Sequence, residues 1–140
     1  MSKPIYDRLV FYEGDDICLE GEPGVWAFLI QTGKVGIIKR RVDGTEVMLA
    51  VLGPGRLFGE MALIDDLPRM ATARALAKTT VILIDREIVL SKINKSPPLV
   101  RELLQNLTSN LRSMTRRHVE LGGNSAEEPE PRPYVGPRLT

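Results

Sequence analysis

The run Phe58-Gly59-Glu60-Met61-Ala62-Leu63-Ile64-Asp65-Asp66-Leu67-Pro68-Arg69-Met70-Ala71-Thr72-Ala73 decides how the rest of the chain is read. It interrupts a series of strand-like segments with a glycine, one turn of helix and a proline followed by an arginine. Gly59 lets the backbone come close to a ligand. Glu60 to Ile64 read as a single helical turn whose unpaired N–H groups and positive dipole end favour an anion. Arg69 adds charge, since a guanidinium forks two parallel hydrogen bonds onto phosphate oxygens. An ionised Glu60 only accepts hydrogen bonds, which suits the donor hydroxyl of a sugar. A carboxylate and a guanidinium set around such a turn describe a receptacle for a cyclic phosphate joined to a ribose.

On either side of this run the pattern is that of strands. Leu9–Tyr12, Ile17–Leu19, Trp26–Thr32, Lys34–Arg40 and Glu46–Leu52 precede it, and Met70–Leu76 and Thr79–Ile84 continue from it. Short apolar or alternating segments punctuated by glycine predict a mainly β fold, a β-sandwich or jelly-roll barrel. Gly33 and Gly44 stand where hairpin turns need positive φ. Between Leu52 and Met70 strand character fails, and a loop with Gly53, Pro54, Gly55 and Gly59 interrupts the sheet. After Asp85 the period changes. Arg86–Lys95 reads as a short helix stopping before Ser96-Pro97-Pro98, and a longer one runs from Leu99 to Leu121. Along it Leu99, Leu103, Leu107, Leu111 and Met114 recur at helical spacing. An overlapping set of Leu104, Leu107, Leu111, Met114, His118 and Leu121 follows a three–four rhythm, and such a stripe is expected to pack on its own domain. The expected organisation is one domain over 1–121, with a β-roll over about 9–85 and C-terminal α-helices over about 86–121. The tail 122–140, opened by Gly122-Gly123 and holding four prolines with Glu127, Glu128 and Glu130, is expected to be disordered.

The central run closely resembles the phosphate-binding cassette of the cyclic-nucleotide-binding domain family, whose pattern is F-G-E-[LIM]-A-L, a few variable residues, then P-R-x-A-T. Phe58-Gly59-Glu60-Met61-Ala62-Leu63 and Pro68-Arg69-Met70-Ala71-Thr72 stand at the expected separation. The likeness continues through Glu13-Gly14-Asp15, Glu20-Gly21-Glu22-Pro23-Gly24, Gly33, Gly44 and Leu52-Gly53-Pro54-Gly55, covering about residues 9 to 121. The resemblance implies a cyclic-nucleotide sensor like the effector domain of catabolite activators, and not an enzyme. It implies ligand contacts from Phe58, Gly59, Glu60, Met61, Ala62, Arg69, Met70 and Ala71, with Arg69 on the cyclic phosphate and Glu60 on the ribose 2′-hydroxyl. Glu60 could at the same time complement the helix dipole. Gly59, Met61, Ala62 and Ala71 would act through backbone N–H groups or close approach. Met70 stands where relatives that favour cyclic GMP carry a hydroxyl, and a thioether cannot donate that bond, so cyclic AMP (cAMP) is the favoured ligand and cyclic GMP the second choice. By the same resemblance the Leu99–Leu121 helix caps the nucleotide, or pairs with a second copy as a homodimer, and relays binding to an effector protein. No helix-turn-helix follows Leu121, so no DNA-binding part is expected on this chain.

Composition narrows the remaining classes. The chain has 140 residues, a formal net charge of +1, 43% hydrophobic and 26% charged residues. That describes one soluble domain with no field that implies nucleic acid or a membrane surface. Cys18 is the single cysteine, so neither an internal disulfide nor a four-ligand zinc or iron–sulfur site can be built, and a buried, inert thiol is expected. His118 is the sole histidine, which excludes a histidine-clustered cupin metal site, and no metal or cofactor is expected. No apolar run approaches the roughly 20 residues that span a bilayer, and Met1-Ser2-Lys3-Pro4 lacks a signal-peptide core, so a cytoplasmic location is expected. Trp26 and Phe28 are expected in the core. Asp15, Asp16, Glu20 and Glu22 are expected as solvated turn carboxylates, and Arg112, Arg116 and Arg117 as a solvated helix end. Thr72 is open between the pocket and the strand, and Arg74 is expected to reach solvent. The rival to a sensor is a protein-interaction module that keeps the sandwich without the ligand.

Overall fold

In the segment Trp26–Thr32, Ala27, Phe28 and Ile30 are buried while Trp26, Gln31 and Thr32 are exposed. The same half-buried character recurs in the neighbouring segments, so each strand presents one face to a partner sheet. The computed structural model describes residues 7–120. Within them lie eight strands: β1 (Arg8–Phe11), β2 (Asp16–Cys18), β3 (Trp26–Thr32), β4 (Val35–Arg40), β5 (Glu46–Leu52), β6 (Leu57–Phe58), β7 (Thr72–Ala75) and β8 (Thr79–Asp85). They form two four-stranded antiparallel sheets, in the orders β1-β8-β3-β6 and β2-β7-β4-β5. The mainly β jelly-roll with C-terminal helices that the strand pattern predicts is the observed architecture.

Between the sheets, Phe28, Ile30, Val35, Phe58, Ala73 and Val81 form the buried cluster. The rings of Phe28 and Phe58 stack with centroids 5.0 Å apart. Phe58 reaches Phe28 because β6 pairs with β3, Phe28 opposite Phe58 and Leu29 opposite Leu57. That two-residue strand corrects the expectation that strand character is absent between Leu52 and Met70. Two residues carry no period, and only the non-local pairing to β3 makes them a strand. Trp26 corrects the expectation of two core aromatics, since it is 39% exposed whereas Phe28 is 4% exposed. Gly44 turns the β4–β5 hairpin with φ 89°. Gly33, φ 104°, turns no hairpin, because β3 and β4 belong to different sheets and this turn carries the chain across the sandwich.

Three helices complete the described chain: α1 (Met61–Asp65), α2 (Arg86–Lys95) and α3 (Pro98–Glu120). The Asp85 carboxylate caps α2 by accepting from Glu87 N at 3.1 Å. Proline opens α3, where its missing N–H leaves no helical bond unmade. The side of α3 turned to the domain carries Leu104, Thr108, Arg112, Thr115 and Val119, spaced three or four apart. This overturns the expectation that the leucine stripe packs on its own domain: Leu99, Leu103, Leu107, Leu111 and Met114 are 49–68% exposed. Leu121 and the 122–140 tail lie outside the described residues. Among the described residues no helix is long and apolar enough to cross a membrane.

Candidate functional site

A cavity of about 170 Å³ opens where β6 and α1 leave one sheet and β7 enters the other. All eight residues singled out from the sequence line it: Phe58, Gly59, Glu60, Met61, Ala62, Arg69, Met70 and Ala71. Its remaining wall comes from Cys18, Ile37, Leu52, Leu57 and Ala73, which sequence reasoning did not assign to a site. They come from β2, β4, β5, β6 and β7, so strand alternation could have placed some of them inward. It could not say that inward meant a cavity and not the core.

Arg69 is 7% exposed, and its guanidinium is held by backbone oxygens. Nη1 donates to the Gly59 carbonyl at 3.2 Å and Nη2 to the Trp26 carbonyl at 2.7 Å. The head lies 5.4 Å from the centre of the Phe28 ring, within cation–π range. Among the described residues it takes part in none of the ion pairs, which engage Lys39, Arg74, Arg86 and Arg112. A shielded cation aimed by carbonyls and left without a carboxylate has the chemistry to receive an anion. The backbone beneath it is fixed too: Arg69 N donates to Glu22 O at 2.8 Å, and Gly21 N to Arg69 O at 2.9 Å. Gly59 has φ 80°, and a Cβ there would sit 2.7 Å from Arg69 Nη1, so only glycine fits the turn and the guanidinium together.

Glu60 precedes α1 and faces the same cavity. Its side chain makes no capping hydrogen bond to the helix it precedes. Burial pushes its carboxyl above the usual glutamate range, with its own backbone N–H opposing. The helix behind it has five residues, and both Leu63 N and Ile64 N turn back to the Glu60 carbonyl at 3.1 Å. Cys18 is half-buried in the cavity wall, where burial raises its thiol and the Arg69 charge opposes the rise.

Around this centre several charged groups depart from expectation. Glu20 pairs with Lys39 at 2.8 Å, and Lys39 also donates to Met70 O at 2.9 Å, tying down the chain beyond Arg69. Asp16 pairs with Arg74 at 2.8 Å, and Arg74 also reaches Glu46 at 3.0 Å. Asp16 and Glu20 are therefore ion-paired, while Asp15 and Glu22 accept from the turn N–H groups of Tyr12 and Leu19. Thr72 turns away from the cavity, its hydroxyl accepting from Glu20 N at 3.0 Å. Arg112 is not a solvated helix end either, because it pairs with Asp65 at the close of α1.

A model of the cyclic nucleotide-binding domain matches residues 8–96, well over half of the chain. The chain belongs to the cyclic nucleotide-binding domain family. This cyclic nucleotide-binding domain is 33% identical over 111 residues to the CRP-like cAMP-activated global transcriptional regulator of Mycobacterium tuberculosis, covering 79% of this chain and 50% of that protein. It is 36% identical over 107 residues to the cyclic AMP receptor protein of Thermus thermophilus, covering 76% and 50%. Among solved structures, an EAL enzyme in its cAMP-bound form superposes with a TM-score of 0.77 at 32% identity, over 79% of this chain and 29% of that one. The chain spans about half the length of the curated relatives it matches.

Proposed function

We propose that this domain binds cyclic AMP in the Arg69 cavity and acts as a regulatory sensor, not as a catalyst. One observation carries the reading: a buried guanidinium preset by two carbonyls, with no carboxylate on it, faces the same cavity as the Glu60 carboxylate, which makes no capping bond to its own helix. Arg69 takes the cyclic phosphate in a forked contact, and Glu60 accepts from the ribose 2′-hydroxyl. Backbone groups of Met61, Ala62 and Ala71 complete the cradle. The apolar wall of Cys18, Ile37, Leu52 and Met70 takes the base without offering guanine a hydroxyl donor, which favours cyclic AMP over cyclic GMP.

Nucleotide shifts the domain only through unequal affinity for two arrangements of its C-terminal helices. The exposed leucines of α3 support a receiver on that face, a second copy of this chain or an effector protein. Titration calorimetry with cyclic AMP, cyclic GMP and non-cyclic AMP tests the reading. Cyclic AMP binds most tightly, and Met70→Thr narrows the gap to cyclic GMP. Absence of heat with either cyclic nucleotide, on protein shown free of bound ligand, favours the ligand-free interaction module.

A further inference from the structure

Four residues, Asp65 to Pro68, link the end of α1 to Arg69, and one side chain of α3 grips them. Arg112 Nε and Nη2 both bond the Asp65 carboxylate, the second at 3.0 Å, and Nη1 donates to Pro68 O at 2.9 Å. Asp65 Oδ1 also accepts from Leu67 N at 3.1 Å, which curls the link. Asp66 follows with φ 55°, the one positive φ of a non-glycine among the described residues.

The Pro68 carbonyl and the Arg69 N–H belong to the same peptide group. Arg112 holds the first from α3, while the Glu22 carbonyl holds the second at 2.8 Å from the strand side. That peptide plane sets where the Arg69 side chain starts. Its grip is shielded: the Asp65 and Arg112 side chains are 12% and 13% exposed. The neighbouring pair from Asp66 to Arg86 is 74% and 33% exposed, and water screens it far more. A shielded bidentate pair made by the planar fork of arginine has a fixed geometry that a lysine cannot reproduce.

We propose that Arg112 is a positioning residue for Arg69, so that docking of α3 and capture of the cyclic phosphate are one equilibrium. This rests on the cyclic AMP reading above. When α3 moves away it takes with it the three bonds that hold the Asp65–Pro68 link, one of them on the Arg69 peptide itself, and when nucleotide draws on Arg69 it stabilises the docked α3. The link works without any contact between Arg112 and the nucleotide.

The test compares wild type, Arg112→Met, Arg112→Lys and Arg101→Met, the last a charge removed from an exposed position on the same helix. Cyclic AMP affinity is measured by calorimetry, and amide hydrogen exchange is followed over Asp66 to Met70 and along α3, with and without nucleotide. The expected result is an affinity loss of about tenfold in Arg112→Met, a smaller loss in Arg112→Lys and none in Arg101→Met. Exchange over Asp66 to Met70 rises in Arg112→Met, and cyclic AMP no longer increases protection of α3. Wild-type affinity in folded Arg112→Met overturns the proposal. If that variant does not fold, Arg112→Lys decides, and wild-type affinity there overturns it. If the wild type binds no cyclic nucleotide, the functional reading falls by itself. The positioning claim then stands or falls on whether exchange over Asp66 to Met70 differs between wild type and Arg112→Met.

Discussion

Replacing Gly59 by alanine strains the site in two separable ways. At φ 80° an L-residue costs roughly 1–2 kcal/mol relative to glycine. The new Cβ would also stand 2.7 Å from Arg69 Nη1 and 3.2 Å from Phe28 Cδ2, and since Phe28 is packed in the core, the guanidinium must give way. Its 3.2 Å bond to the Gly59 carbonyl is then lost, and a hydrogen bond to a charged group contributes about 1.5–3 kcal/mol. Gly55→Ala is the matched control. Gly55 has φ 85°, but a Cβ there meets nothing within 4 Å, so only the backbone cost applies. In urea denaturation with unchanged slope, Gly59→Ala is expected to lose about 1.5–3 kcal/mol more than Gly55→Ala. It also loses cyclic AMP affinity while Gly55→Ala keeps it. Equal destabilisation of the two variants would refute the claim that Gly59 is required by the Arg69 head.

Three further outcomes follow from the same geometry. Leu63 has no exposed surface, so Leu63→Ala leaves a cavity and lowers the urea midpoint by an amount equivalent to about 2–5 kcal/mol. Glu60 has a folded-state carboxyl raised above its ordinary value of 4.5, so the native state holds its proton more tightly than the unfolded chain does. Its contribution favours folding below about that value and is lost as pH rises through the raised one. Glu60→Gln is therefore more stable than wild type at neutral pH by a margin that vanishes in acid, while binding cyclic AMP more weakly, as paired pH-dependent melts and titrations will show. Leu107→Glu and Met114→Glu leave monomer stability within about 0.5 kcal/mol, because both side chains are exposed, yet shift sedimentation toward a single copy if α3 pairs with itself.

What the sequence makes legible here is what local chemistry dictates. Gly44 turns its hairpin, helix α2 runs between its Asp85 cap and Ser96, and the eight cassette residues meet at one cavity because they sit on one short interruption of the strands. The misses are long-range. Leu57–Phe58 becomes a strand only by pairing with residues 28 and 29, and Gly33 changes sheets instead of turning a hairpin. Arg112 looks like one of three basic residues near a helix end until Asp65, 47 positions away, is found beside it. The leucines of α3 show why periodicity names a face but not its partner. The helix carries an apolar stripe, and the domain instead takes the adjacent side bearing Thr108, Arg112 and Val119. Walls such as Ile37 and Leu52 share the alternation of every core strand, so pattern alone cannot separate a cavity lining from a core.

The most direct measurement is thermal unfolding of the wild type and of Arg69→Ala, on protein shown free of nucleotide, with cyclic AMP present and absent. At one hundred times the dissociation constant, ligand adds about 2.7 kcal/mol to the stability of a protein that binds it only when folded. The account predicts a rise of that order in the wild type and none in Arg69→Ala. An unmoved wild-type melt with cyclic AMP and cyclic GMP alike, or an equal rise in Arg69→Ala, would contradict it.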